Sequence, residues 1–84
     1  MSGLLAYGRM AEQHWREHRP RMVEELETRG SLQTVLLEAQ ERTAAEMERL
    51  IRDFRKQGRT PQQAHDQAWE LLREKYILLP PEKP

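Results

Sequence analysis

From Ser31 to Gln57 the chain runs without a glycine or a proline, while Leu32, Val35, Leu36, Ala39, Thr43, Met47, Leu50, Ile51 and Phe54 return in steps of three, four or one. That spacing is the stripe of an amphipathic helix. At about 1.5 Å per residue, a helix over 31–57 is roughly 40 Å long, more than a domain of this size needs to cover itself. Either its neighbours line up along it, or part of its stripe meets a partner. Outside the stripe, Glu38 with Arg42 and Glu48 with Arg52 place acid before base at a spacing of four, which supports an exposed, solvated helical face.

The flanking segments read as three further helices. Over 4–18, Leu4, Tyr7, Met10, Ala11, His14, Trp15 and His18 recur at helical spacing, and Pro20 disfavours helical backbone at the residue before it while suiting the first turn of a new helix. A second helix over 20–29 buries Met22, Val23 and Leu26, turns Glu24, Glu25 and Glu27 outward, and ends at Gly30. Ser31 is then expected to cap the long helix. Gly58 closes that helix, and Thr60-Pro61-Gln62-Gln63 opens a fourth over 61–75 with a cap threonine, a first-turn proline and a capping-box glutamine. The expected fold is therefore all-α, four helices (4–18, 20–29, 31–57, 61–75) packed around a long third one. Residues 1–79 form a single domain, and a proline-rich stretch, 80–84, is extended and mobile.

Eighty-four residues make one domain with a thin core, and the absence of cysteine removes disulfides, thiolate catalysis and Cys-type zinc sites together. Fourteen basic residues balance fourteen acidic ones, so no net field is available to hold a phosphate backbone or an acidic membrane. Nowhere do 18 apolar residues run together, and the start lacks the basic flank and apolar core of an export signal. The expected location is cytoplasmic.

Four constellations bear on function. His14-Trp15-Arg16-Glu17-His18 matches the letters H-x-x-E-H, in which two histidines four apart on a helix hold zinc. A third ligand and a walled cleft are missing from the pattern, and Pro20 ends the helix at once, so packing for one histidine and a favourable helix C-terminus for the other is the preferred reading. No metal or other cofactor is expected. Arg9, Arg16, Arg19 and Arg21, opposed by Glu12 and Glu17, make 9–21 the segment with a clear basic excess, an anion-facing candidate beside Trp15 and Tyr7; pairing of those arginines with the acidic second helix is the competing reading. A helix-turn-helix fits neither glycine turn: the helix after Gly30 offers no Arg or Lys before Arg42, and after Gly58, where Gln62 and Gln63 could read adenine, no second short helix and turn completes the unit. Tyr76, Ile77, Leu78 and Leu79, followed by Pro80-Pro81, are costly to leave in water and either dock on this chain or serve as a linear ligand for a protein partner. No phosphate loop, nucleophile elbow or paired carboxylates stand out, so enzymatic activity is not expected.

Tyr7-Gly8-Arg9-Met10, His18-Arg19-Pro20, Gly30-Ser31-Leu32 and Ala45-Glu46-Met47-Glu48-Arg49-Leu50-Ile51 resemble the TnpV family of small transposon-encoded proteins of bacterial mobile elements and phages. The resemblance covers residues 7–51; Thr60 to Trp69 does not match the tryptophan-, arginine- and asparagine-rich stretch of that family. It implies a bacterial or phage setting and an accessory role, and brings no catalytic residues. The combined expectation is a non-enzymatic helical protein that self-associates or binds a protein partner, such as a nuclease or the transposition machinery. The alternative is a nucleic-acid accessory factor using Arg9, Arg16, Arg19 and Arg21. Neither a small-molecule substrate nor a membrane is expected as a partner.

Overall fold

A computed structural model describes residues 3–82, which form α1 (Ala6–His18), α2 (Pro20–Thr28), α3 (Leu32–Lys56) and α4 (Pro61–Leu72), the last continued by a π-helical turn over Arg73–Ile77. The expected four-helix, all-α architecture is the observed one. At 25 residues α3 is about 37 Å long, and each of the other elements packs against it.

The breaks between helices follow local chemistry. Gly30 and Gly58 sit at φ +69° and +95°. Each closes a Schellman turn: Ser31 N–H reaches Leu26 O at 2.8 Å and Gly30 N–H reaches Glu27 O at 3.0 Å, while Arg59 N–H reaches Phe54 O at 3.2 Å and Gly58 N–H reaches Arg55 O at 3.0 Å. In the second turn the Arg59 guanidinium also lies 4.7 Å from the centroid of the Phe54 ring. At α4 the capping box is complete, with Gln63 N–H on Thr60 Oγ1 at 3.2 Å and Thr60 N–H on Gln63 Oε1 at 3.1 Å. Ser31 departs from expectation. Its side chain makes no cap bond, because its backbone is already near-helical (φ −107°, ψ −5°) rather than in the extended conformation that aims a cap oxygen at the first turn.

Helices α1 and α2 begin at Leu5 and Arg19, residues that cannot cap with their own side chains. Their free N–H groups are met from far along the chain. The Gln40 side chain on α3 accepts from Leu5 N–H at 2.5 Å and Gly8 N–H at 3.2 Å. Glu82 accepts from Met22 N–H at 3.1 Å and places a carboxylate at the positive end of the α2 dipole.

The core divides into two adjoining clusters. The larger one gathers Leu4, Ala11, Trp15, Val23, Leu36, Ala39 and Ile77, and the smaller gathers Met47, Ala68 and Leu72 with Leu50, Ile51, Phe54 and Trp69 partly buried around them. Tyr7 stacks on Trp69 at 5.7 Å and joins the two. On α4 the buried positions Ala64, Ala68 and Leu72 step by four, and the next is Ile77, a step of five. The wide turn inserts one residue and keeps Ile77 on the inner face, which a regular helix would have given to Tyr76. For that reason the helical path ends at 77 rather than at 75.

Beyond the turn, Leu78 to Glu82 is irregular and lies along α1 and the start of α2. Trp15 Nε1 donates to Ile77 O at 2.8 Å, Arg19 Nη1 donates to Pro80 O at 2.7 Å, and Glu82 N–H donates to His18 O at 3.0 Å. The extended tail expected over 80–84 is thus hydrogen-bonded at Pro80 and Glu82; residues 83–84 lie outside the described residues.

Candidate functional site

The strip Tyr76, Ile77, Leu78 and Leu79 belongs to this chain's own core. Ile77 is fully buried, Tyr76, Leu78 and Leu79 are half-buried, and all four pack into the larger cluster. In the single chain these four residues dock on the protein itself, one of the two arrangements expected for them.

The basic first segment is partly spent in the same way. Arg16 pairs with Glu12 at 2.9 Å and with Glu27 at 3.6 Å, and the Glu12 hydrogen bond in particular raises the pKa of its guanidinium. Arg19 is half-buried against the Pro80 carbonyl, while Arg9, Arg16 and Arg21 are exposed. His14 Nε2 lies 2.8 Å from Leu79 O. A carbonyl only accepts, so that nitrogen carries a proton and is not a metal ligand. The exposed His18 ring lies beside it, tilted by 36°, with ring centroids 4.4 Å apart. Among the described residues no three His, Cys, Asp or Glu side chains are gathered to hold a metal ion, and no helix is long and apolar enough to cross a membrane.

Burial along α3 is uneven, and this asymmetry defines the site. Leu36 is 0% and Met47 3% exposed, whereas Leu50, Ile51 and Phe54 are only half-covered. One flank of the C-terminal half carries an open groove of about 680 Å³. Its floor is Tyr7, Ala44, Met47 and Ile51, and its rim is Glu48, Arg52, Arg55 and Lys56. All four rim residues are exposed, and among the described residues none forms an ion pair; in particular Glu48 and Arg52 do not join as their spacing suggests. A smaller recess on the α4 side is lined by Phe54, Gln67, Glu70 and Leu71, with Leu71 62% exposed.

Charge along the groove is ordered: the acid lies toward the N-terminal end and the three cations toward the C-terminal end, where they also suit the helix dipole. The length of the stripe in the sequence implies that part of it meets a partner without saying which end. The recurrence of Arg52, Arg55, Lys56 and Arg59, opposed by Asp53 alone, is the sequence signal that marks this one.

Near the π turn, Glu46 meets Lys75 Nζ at 3.2 Å and Arg49 at 3.8 Å. The nearby Tyr76 hydroxyl first, and then Lys75, favour the charged carboxylate and hold it below the usual glutamate range against the opposing effect of burial. The same contacts, with Glu46 foremost, raise the Lys75 ammonium. This cluster fastens the turn to α3. Comparison with known proteins adds no site: no family model matches the chain, and no curated protein or solved structure is significantly similar to it.

Proposed function

We propose that this chain is a non-enzymatic protein-interaction module whose contact surface is the groove on the C-terminal half of α3. The observation that carries this reading is the pairing of an apolar floor, half-covered Tyr7 and Ile51 and exposed Ala44 around buried Met47, with a rim of charges that have no ion-pair partner among the described residues. Apolar floor inside polar rim is the anatomy of a protein interface, and the open, shallow form suits a helix laid along it better than a small substrate. Function in a bacterial or phage mobile element, as accessory to a nuclease or the transposition machinery, is the setting that the resemblance over 7–51 adds to the proposal. A nucleic-acid role through the first helix is the weaker reading, since Arg16 and Arg19 are engaged internally.

A photo-reactive residue placed at Ile51 tests it, with one at exposed Arg29, the far end of the molecule, as control. Irradiation in cells of the natural host should give a discrete protein adduct from position 51 and none from position 29. Absence of any adduct at 51, including a doubled chain, ends this reading.

A further inference from the structure

Taking the groove to be a contact surface, we infer that its occupant is the same groove of a second copy, with the two α3 helices antiparallel across a two-fold axis near residue 50. The charge order selects this arrangement. An axis at that position sets Glu48 of each copy against Arg52 of the other, and brings the cationic end, Arg55 and Lys56, over the small Ala44 and toward the acidic end of its neighbour. Parallel pairing would face cation with cation. Ala44, Glu48, Ile51 and Arg55 step four, three and four along α3, the seam on which two helices pack side by side, and Ile51 falls next to the axis. Antiparallel helices also oppose their dipoles favourably. Because Glu48 and Arg52 are exposed and form no ion pair among the described residues, their pairing across the axis displaces none of the ion pairs seen there.

The molecule's shape agrees. Its Cα radius of gyration of 14.4 Å exceeds the about 12 Å of a compact chain this long. A thin dimension of 13 Å holds no more than two helices across at the usual spacing of about 8–10 Å. Pairing along α3 adds the missing layer on the uncovered flank. The contact involves about four helical turns per copy, at the low end of specific interfaces, so dimerisation is weak and concentration-dependent.

Sedimentation equilibrium of the full chain up to roughly 1 mM, where even an association of about 4 kcal/mol registers, reads the result. The wild-type chain should dimerise. Glu48→Arg and Arg52→Glu should each weaken the dimer at least tenfold, with unchanged circular dichroism because both positions are exposed. An equimolar mixture of the two variants should form a heterodimer, since each mismatch is then answered by the other chain, and the Glu48→Arg/Arg52→Glu double variant should dimerise again. Monomer at every concentration, or a dimer indifferent to both swaps, overturns the inference. A photo-adduct at Ile51 consisting of this chain and a different protein, with the chain monomeric alone, overturns self-pairing and leaves the groove as the contact surface; salt-sensitive binding of duplex or single strands that Arg52→Glu abolishes, with no dimer, overturns it in favour of nucleic acid.

Discussion

Gln40 shows how one side chain can decide whether a helix starts. Its carboxamide oxygen takes the N–H groups of Leu5 and Gly8, and its amide group approaches Gly3 O at 3.4 Å, so a residue on α3 does for α1 what a cap serine would do locally. Gly8 is the matching piece, because a Cβ there would stand 2.5 Å from Gln40 Oε1. Gln40→Ala, which orphans both donors, is expected to lower stability by about 1–3 kcal/mol. Gly8→Ala should also destabilise by displacing the carboxamide and the buried Leu4 side chain, whose Cδ2 would stand 2.8 Å from the new Cβ, although alanine in a helix is otherwise worth about 0.5–1 kcal/mol over glycine. The carboxamide part of the two losses is shared, so in urea titrations the double variant should lose less stability than the sum of the single variants; simple addition would disprove the cap. Glu46 adds a pH dependence. Its folded-state pKa lies below the unfolded value, so its contribution is present above about pH 4.5 and fades as pH falls through the lower, folded value. Stability curves of wild type and Glu46→Gln should therefore be separated at pH 7 and converge on acidification, whereas a constant gap would remove Glu46 from the account. Only part of this was legible in the sequence. Thr60 and Gln63 announce their capping box because donor and acceptor are three residues apart; Gln40 acts across 35 residues and Glu82 across 60, where no local pattern records the pairing.

At the scale of elements, the π turn is the feature that periodicity misplaced. A stripe read at 3.6 residues per turn leads from Leu72 to Tyr76, yet the buried residue is Ile77, because one extra residue in the turn trades a tyrosine for an aliphatic side chain at the inner position. The hydrophobic cost of Tyr76 to Leu79 showed that this strip must be covered; it could not show by what. Trp15, His14 and Arg19 answer that by binding the carbonyls of Ile77, Leu79 and Pro80, groups an irregular segment would otherwise leave without partners. Ile77→Ala should accordingly cost about 2–5 kcal/mol, while Leu71→Ala, at a position 62% exposed on the same helix, should stay within about 0.5 kcal/mol of wild type. Thermal melts of the two variants compare them directly. Equal, small effects would mean that the strip is loosely held and open to a partner after all.

Over the whole molecule, α3 is one rigid rod lodged in two environments of unequal strength. Its N-terminal half shares a cluster of seven buried residues with α1, α2 and the terminal strip, whereas its C-terminal half shares Met47, Ala68 and Leu72 with α4, two of the three small or flexible. Local stability follows buried apolar contact, so opening of the α3–α4 end should require less free energy than opening of the opposite end, even though the helix is continuous. Amide exchange of the Arg52→Glu chain, held monomeric, should then show slower exchange around Leu36 to Thr43 than over Ile51 to Lys56. In the wild-type chain the difference should narrow as concentration rises, because pairing covers Ala44, Ile51 and their neighbours and so protects the weaker half alone. Protection that is uniform along α3 would show that the smaller cluster is as firm as the larger. Protection that stays uneven at every concentration would mean that no second copy occupies the groove.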